Sequence, residues 1–417
     1  MQTITRCIYP GELLLPAQPT DLTAWACLAC DQFTSQPQYW EQVKLLVGDR
    51  PSTLNLILPE CYLSEADARI PAIHQAMRDY LGQGVLTSAV PNGFILTERS
   101  TGSGARLGLI ALLDLECYEY RQGSRSPVRA TEQTIEARLP PRQAVRRGAP
   151  LELSHVLLLM DDPMQSVVEP LFDKRDELAK LYDFPLMLDG GHLTGYAVTD
   201  PADIQSVYDA LNALDARRPS DDRLLFAVGD GNHSLAAAKK NWEEVKRNLS
   251  PEQTAGHPAR FAMVELENIH DDALQFEPIH RVLFGYDGDD LLNELTAYAM
   301  GQGVSAEAGA QEIAIVYEGK EAALSVGGPS SPLAVGTLQA FLDEWLKAHP
   351  GVRLDYIHGE EAVRSLTAGE GAVGFLLPKL DKSFLFPAVR QNGALPRKTF
   401  SLGGALDKRY YMECREL

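Results

Sequence analysis

The sequence predicts an α+β protein, a mixed α/β chain in which short strands and helices alternate. Apolar runs of strand length occur at residues 154–160, 224–228 and 261–266, and short apolar runs bounded by turn residues are typical of buried strands. Between such runs, apolar residues recur at helical spacing, as they do in residues 235–245. The chain has no internal repeat, low-complexity tract or flexible linker, so we expect its parts to pack closely.

The order of these elements divides the chain into three predicted regions. Residues 1–150 form an N-terminal α+β region that includes an arginine-rich segment at 126–148. Residues 151–290 form an α/β region that carries the glycine motif GDGNHS. Residues 291–417 form a C-terminal α+β region.

Composition excludes several classes of partner. The chain has 417 residues, of which 45% are hydrophobic and 23% charged, with a net charge of −19. Such a charge argues against a general affinity for nucleic-acid phosphates or anionic membranes. No stretch approaches the roughly 18 uninterrupted apolar residues of a membrane span, and the first residues lack the apolar core of a secretory signal. We therefore expect a cytoplasmic protein with no nucleic-acid or membrane partner.

The cysteines do not form a metal-binding pattern. Among six cysteines only Cys27 and Cys30 make a Cys-x-x-Cys pair, and no second pair completes a zinc site. The nine histidines show no clustered metal signature either. A redox pair is the alternative, but we expect reduced, structural cysteines and no zinc.

The glycine motif is the stretch that points most directly to chemistry. In RLLFAVGDGNHSLAAAKKNW an apolar run passes through a glycine turn into an alanine-rich helix. Such a turn leaves the first N–H groups of the helix without partners and favours an anion in front of them. Glycines let the backbone approach a ligand, and His233 adds a proton carrier. The loop residues of this predicted phosphate cradle are Gly229, Asp230, Gly231, Asn232, His233 and Ser234.

A second interpretation of the same stretch is structural. Asp230, Asn232 or Ser234 can simply cap the helix, and short glycine motifs often match by chance.

The arginine-rich segment SPVRATEQTIEARLPPRQAVRRG stands out in an acidic chain. Arg129, Glu132 and Glu136 have the spacing that places side chains on one helical face, and Pro140 and Pro141 are expected to end that helix. The face is either a solvated, salt-bridged surface or a basic lip that offers one carboxylate as a general base.

With these features in place, the chain resembles the bacterial family known as domain of unknown function 1015. The resemblance runs in order over nearly the whole length. Its seven blocks are ACDQFTSQPQYWE (29–41), VRATEQTIEARLPPR (128–142), HVLLLMDDP (155–163), VGDGNHSLAAAK (228–239), LENIHDDALQFEPIHRVLF (266–284), YIHGEEAV (356–363) and LPRKTFSLGGALDKRYYMECR (395–415).

The central block of that family is similar to the Asp-Gly-His-His-Arg signature of the ParB/sulfiredoxin superfamily, which includes kinases of free serine. The resemblance implies a ParB/sulfiredoxin-like core with large insertions and a nucleotide-phosphate site at the glycine loop. It also matches Glu132 to the acid–base glutamate that those kinases carry on a helix, if an insertion separates Glu132 from Asp230.

This chain departs from the signature at two positions, since Asn232 replaces its first histidine and Ser234 its final arginine. The bidentate guanidinium, a strong phosphate clamp, is therefore absent from the loop. Either another cation supplies the charge, or nucleotide binding is weakened or lost. The candidates for that cation are Arg129, Arg142 and the pair Arg397 and Lys398.

The resemblance favours a small-molecule phosphotransferase that acts on free serine or a related hydroxy amino acid, with Mg²⁺ and ATP or ADP. The N–H groups of Gly231, Asn232 and His233 would hold the phosphate, and Asp230 would orient the metal or the loop. Glu132 or His233 would take the hydroxyl proton. The alternatives are a nucleotide- or phosphate-binding regulatory protein without turnover, and a phosphatase for phosphoserine-type esters.

Overall fold

The structure, a computed structural model, describes residues 6–219, 222–301, 311–326, 329, 331 and 333–417. The chain divides into two compact units. Unit 1 contains residues 1–275, 386–393 and 405–417, and unit 2 contains residues 276–385 and 394–404.

Helices and strands alternate along the described chain, as the sequence predicts, and the α+β class is confirmed. None of the helices in the described ranges is long and apolar enough to cross a membrane. The helices are α1 (Leu22–Trp25), α2 (Pro37–Val47), α3 (Ala66–Gly82), α4 (Leu139–Arg146), α5 (Glu169–Asp173), α6 (Pro201–Ala216), α7 (Asn232–Lys246), α8 (Pro251–Gly256), α9 (Gly288–Gly301), α10 (Ala334–Ala348), α11 (Glu360–Leu366) and α12 (Leu385–Asn392). The strands are β1 (Ile8–Tyr9), β2 (Gly11–Pro16), β3 (Leu86–Thr101), β4 (Gly104–Asp114), β5 (Tyr118–Glu119), β6 (Val128–Ala130), β7 (Leu151–Glu152), β8 (Leu157–Met160), β9 (Ala179–Pro185), β10 (His192–Val198), β11 (Phe226–Asp230), β12 (Phe261–Asn268), β13 (Phe276–Phe284), β14 (Gln311–Tyr317), β15 (Lys320–Val326), β16 (Arg353–His358), β17 (Ala372–Leu376), β18 (Phe400–Leu402) and β19 (Arg415–Glu416).

Unit 1 is built around a mixed sheet. Its described strands run in the order β5-β6-β11-β8-β12-β4-β3-β10-β9, with β1 beside β4 and β2 beside β3. β11 pairs in parallel with β6 on one side and antiparallel with β8 on the other. Because parallel strands end at the same edge of a sheet, the residues that follow β6 and β11 lie side by side.

Both faces of this sheet are buried. In β4, Leu109, Ala111 and Leu113 belong to one apolar cluster, whereas Ile110 and Leu112 belong to another. Successive side chains of a strand point to opposite faces, so the unbroken apolar run of β4 indicates that core material covers each face.

α7 packs between the sheet and α4. Leu235, Ala238 and Trp242 lie in the apolar cluster on one face of the sheet, while the small residues Ala236 and Ala237 pack against α4. The helical spacing predicted for this segment is confirmed, and the packing fixes the direction in which the N-terminus of α7 points.

The prediction of a helix across Arg129, Glu132 and Glu136 is wrong. Arg129 lies in strand β6, Glu132 follows it in a loop, and Glu136 begins a single 3-10 turn. α4 starts later, with Pro140 and Pro141 in its first turn. Proline is favoured there because a first-turn N–H has no partner within the helix. The two prolines therefore begin a helix and do not end one.

The predicted boundaries at residues 150 and 290 do not coincide with the two units. β6, from the first predicted region, is hydrogen-bonded to β11, from the second. A strand pair is part of one sheet, so both regions contribute to unit 1. Unit 2 begins at Phe276 and not near residue 290.

Unit 2 has a sheet of its own. Its described strands run in the order β15-β14-β17-β13-β16, and β18 pairs with the first part of β13. Leu291 of α9 and Leu342 of α10 are buried in one apolar cluster with Leu283, Ile315 and Phe375 of the sheet. Two helices and a sheet thus enclose a separate core.

Candidate functional site

The predicted strand, glycine turn and helix are present in unit 1. β11 ends at Asp230, Gly231 has a positive φ of 77°, and α7 begins at Asn232. Glycine is favoured in this left-handed conformation because it has no Cβ. Space is also short, since a Cβ added to Gly231 would lie 3.0 Å from Val156 Cγ2. Gly231 therefore sets the sharp turn that opens α7.

We expect Gly231→Ala to lower the free energy of unfolding by about 1–2 kcal/mol, the usual cost of a left-handed conformation in other residues. Contact with Val156 adds to this cost. Urea denaturation measures the change, and Gly256→Ala is the matched control because no heavy atom lies within 4 Å of its added Cβ. Equal losses in the two variants would contradict the role assigned to Gly231.

Asp230 is engaged on both carboxylate oxygens. Its Oδ1 accepts a hydrogen bond of 2.9 Å from the N–H of Gly231, and its Oδ2 lies 3.3 Å from Lys408 Nζ. The side chain of Lys408 is only 7% exposed. The N–H of Gly231, a predicted phosphate donor, is thus already occupied, whereas Lys408 brings a buried cation to the loop.

Asn232 ties the loop to the residues that follow β6. Its Oδ1 accepts from the N–H of Thr131 at 3.2 Å, and its Nδ2 donates to Thr131 Oγ1 at 3.3 Å. Thr131 Oγ1 in turn donates to the carbonyl of Val228 at 2.6 Å. The buried side chain of Asn232 therefore holds two chain segments together, which leaves its backbone N–H as the group predicted to bind phosphate.

The imidazole of His233 has a defined hydrogen-bonding state. Its Nε2 accepts from the N–H of Ile135 at 3.2 Å. Because a backbone N–H can only donate, Nε2 carries the lone pair and Nδ1 carries the proton of the neutral ring. His233 is therefore a donor through Nδ1, and the nitrogen that could accept a proton is occupied.

Glu132 lies beside the loop on a segment that is fixed at two points. Thr131 and Ile135, on either side of it, both bond to the first turn of α7. Glu132 is half-buried. The structure thus brings the segments of Glu132 and His233 together, although Glu132 comes from a loop and not from a helix. Its role as the base stays a prediction.

The two arginines predicted as phosphate clamps in unit 1 are paired with carboxylates. Arg129 is buried, binds both oxygens of Asp222, and donates from Nε to the carbonyl of Ser126 at 2.8 Å. Arg142 forms an ion pair with Glu60. Each guanidinium charge is therefore balanced locally. Lys408 is also paired with a carboxylate, that of Asp230, but this pair lies at the glycine turn itself.

The other predicted cations, Arg397 and Lys398, belong to unit 2, whereas the glycine loop belongs to unit 1. Arg397 donates to Asp343 at 3.1 Å. Lys398 has a positive φ of 54°, and its carbonyl accepts from Arg281 at 2.8 Å. A part for either residue in phosphate binding stays a prediction.

The donor set at Asp230 does not fit Mg²⁺. The described residues contain no group of three or more His, Cys, Asp or Glu side chains that could hold a metal ion. One oxygen of Asp230 faces the ammonium group of Lys408, and a neighbouring cation opposes the binding of a divalent ion. Asp230 as a metal ligand stays a prediction.

Ser234 faces a histidine that the sequence did not single out. Its Oγ lies 3.3 Å from Nε2 of His155, whose Nδ1 lies 2.7 Å from the hydroxyl of Tyr411. His155 and Tyr411 are buried. They lie inside blocks of the family resemblance, but no spacing along the chain places them, or Lys408, at this loop.

Comparison with known families identifies the chain. A family model described as a protein of unknown function (DUF1015) matches residues 12–345, and the chain belongs to this family. The predicted family resemblance is confirmed. No curated protein matches the chain.

Several solved structures are distantly similar. A free serine kinase in complex with AMP has 14% identity, a TM-score of 0.40, and coverage of 73% of this chain and 90% of that chain. A conserved hypothetical protein from Pyrococcus furiosus has 12% identity and a TM-score of 0.36, with 74% and 94% covered. SbnI from Staphylococcus aureus, truncated at its C-terminus, has 11% identity and a TM-score of 0.33, with 71% and 83% covered.

Proposed function

We propose that this protein is a small-molecule phosphotransferase that moves a phosphoryl group from a nucleotide to the hydroxyl of free serine or a related hydroxy amino acid. One observation supports the proposal most. The N-terminus of α7, the buried Lys408 and the segment that carries Glu132 meet at one glycine turn. Phosphoryl transfer needs chiefly positioning, neutralisation of charge and one base, and this turn combines groups of those three kinds.

The anion would bind in front of α7. Backbone N–H groups of the first turn, at Asn232 and His233, point out of the N-terminus of the helix, where the helix dipole favours negative charge. Lys408, which is paired with Asp230, brings an ammonium group to the turn and would take the place of the arginine that the superfamily signature has at the position of Ser234.

Glu132 would be the base. His233 Nε2 already accepts the N–H of Ile135, so protonation there would break a hydrogen bond that positions the loop. Glu132 carries a carboxylate on the adjacent segment. The hydroxyl oxygen would form the new O–P bond, the bond from phosphorus to the leaving nucleotide would break, and the hydroxyl proton would pass to Glu132.

A regulatory protein that binds nucleotide without turnover is the second candidate. The pairing of Arg129 with Asp222 and of Arg142 with Glu60 favours it, because transition-state charge in phosphoryl transfer is commonly met by cations that are available to the phosphate. Calorimetric titration with ATP, ADP and AMP, with and without serine, separates the two. Nucleotide binding without a serine-dependent product would identify the regulatory protein.

The main test is mass spectrometry of products after incubation with a panel of amino acids and nucleoside di- and triphosphates. The free serine kinases found by comparison were solved with AMP or ADP, so serine with ATP or ADP comes first in the panel. We expect a product heavier by one phosphoryl group and an equal amount of dephosphorylated nucleotide. Absence of any phosphorylated product across the panel would contradict a phosphotransferase.

Lys408→Met is expected to weaken nucleotide binding by about 10- to 100-fold, because hydrogen bonds to charged groups contribute about 1.5–3 kcal/mol. The change also leaves Asp230 without its ion-pair partner, so its carboxylate repels the phosphate. Calorimetry measures the dissociation constant. Lys246→Met is the control, since Lys246 pairs with Glu116 near the far end of α7. An unchanged constant in Lys408→Met would remove Lys408 from the site.

A further inference from the structure

A second group of reactive side chains lies on the cavity side of α7. Ser234 Oγ is 3.3 Å from His155 Nε2, and His155 is 4% exposed. A serine hydroxyl within hydrogen-bond reach of an imidazole is the arrangement that activates a nucleophile, provided that the imidazole offers a lone pair on that side.

Tyr411 contacts the other nitrogen of His155. Its hydroxyl lies 2.7 Å from His155 Nδ1 and 3.2 Å from Cys30 Sγ. When the hydroxyl proton goes to Cys30 Sγ, the oxygen accepts from His155 Nδ1. His155 then carries its proton on Nδ1 and its lone pair on Nε2, toward Ser234. Asp31 Oδ2, 3.6 Å from the same Nε2, is placed to stabilise the imidazolium that forms when a proton is taken up.

Ser234 and His155 line a cavity of about 130 Å³. A cavity of about 150 Å³ with apolar walls accommodates benzene, so this one holds a group of about four to six carbon atoms. Its walls are mainly apolar, and they include Leu56, Leu58, Leu63, Met77, Val145 and Leu151.

The charges on the cavity wall cancel. Arg142 is paired with Glu60, and Arg146 with Glu152. A phosphate would find no unbalanced cation there, whereas an apolar acyl chain would displace little tightly bound water. The cavity therefore fits the acyl part of a neutral ester better than a phosphoryl group.

Cys30, the other nucleophile near this cluster, is less reactive. Desolvation raises the pKa of its thiol to about 12, and a thiol is nucleophilic only as the thiolate. Ser234 is left as the group that can attack.

From these contacts we infer that Ser234 is an acyl-accepting nucleophile with His155 as its general base, and that the cavity binds the short apolar acyl chain of a carboxylic ester. Ser234 Oγ forms a bond to the acyl carbon while its proton moves to His155 Nε2. The bond from the acyl carbon to the alcohol oxygen breaks, and His155 returns the proton to the departing alcohol. Water then releases the acyl group as a carboxylic acid by the reverse sequence of proton transfers.

The test uses p-nitrophenyl acetate, butyrate and octanoate with the full chain and without nucleotide. We expect a burst of p-nitrophenol, a mass increase of one acyl group and its location on Ser234 by peptide mapping, with butyrate faster than octanoate. Ser234→Ala should remove the burst. Ser206→Ala is the control, because the exposed Ser206 hydroxyl in α6 donates only to the carbonyl of Asp203. Because the assay contains no nucleotide, its outcome does not depend on the proposed phosphotransferase activity.

Three further variants separate catalysis from folding. His155→Gln should slow acylation by about 10²–10⁴-fold, the usual contribution of a general base. Tyr411→Phe keeps the ring but removes the partner of His155 Nδ1, and should slow acylation less. Leu58→Phe fills the cavity and should slow butyrate more than acetate, while its thermal unfolding stays cooperative. Acylation at any other residue, or a burst that survives Ser234→Ala, would overturn the inference.

Discussion

Glu132→Gln is expected to lower the rate of phosphoryl transfer by about 10²–10⁴-fold, the usual effect of removing a general base. Glutamine keeps the size of the side chain but cannot take the hydroxyl proton. The hydrogen bonds of Thr131 and Ile135 to the loop use backbone N–H groups, so the segment should keep its position. Nucleotide affinity should therefore change little. Product formation is measured by mass spectrometry and affinity by calorimetry.

Glu136→Gln is the matched control for this prediction. Glu136 lies four residues further on, is exposed, and pairs with Lys240 on the surface. Its replacement should leave turnover within about twofold. The exposed ion pair contributes at most about 1 kcal/mol to stability, so its loss should leave the protein folded. If Glu132→Gln turned over as fast as Glu136→Gln, another group would have to take the proton.

Glu152→Gln should lower the free energy of unfolding at pH 7 by about 3–5 kcal/mol, the usual cost of breaking a buried ion pair from one side. Glu152 is 4% exposed and forms ion pairs with Arg146 and Arg415. It also accepts the N–H of Met263 at 3.1 Å. The variant would leave two arginines without their carboxylate, and urea denaturation at pH 7 measures the loss.

The same residue makes stability depend on pH. Burial raises the pKa of Glu152. The nearby charges and hydrogen bonds of Arg146 and Arg415 lower it, and together they outweigh burial, so the pKa is below its ordinary value. A lowered pKa means that the unfolded chain binds the proton first as the solution is acidified. The stabilisation is thus fully present above the unfolded pKa of about 4.3 and is lost as the pH falls through the lower folded value.

We therefore expect the stability of the unaltered protein to fall more steeply below about pH 5 than that of Glu152→Gln. Glu416→Gln is the control, because Glu416 is exposed on strand β19 next to Arg415. Parallel stability curves for the unaltered protein and Glu152→Gln would show that folding does not lower the pKa of Glu152.

Local structure around the glycine motif was predictable because its causes are local. The apolar run, the glycines and the helical spacing of residues 235–245 predict a strand, a turn and a helix. The structure has β11, Gly231 at positive φ and α7 in that order. The segment from Arg129 to Glu136 was mispredicted because the spacing of its charges matches a helical face, whereas pairing with β11 makes residues 128–130 a strand and Glu132 lies in the loop that follows.

The contacts that complete the candidate site were not predictable, since they join residues far apart in the chain. Lys408 meets Asp230, and Tyr411 meets His155, only because the final residues return to unit 1. The pairing of Arg129 was not predictable either. The structure pairs its guanidinium with Asp222, and no pattern in one sequence indicates which carboxylate an arginine will bind.

The course of the backbone also sets an order of events during synthesis. Strand β19 and residues 405–417 complete unit 1, yet the ribosome makes them after nearly all of unit 2. At about 5–20 residues per second, the first 275 residues wait roughly 7–28 seconds for Lys408, Tyr411 and Arg415. In that interval Asp230, His155 and Glu152 lack these partners, so unit 1 can complete its contacts only after nearly all of unit 2 has been made.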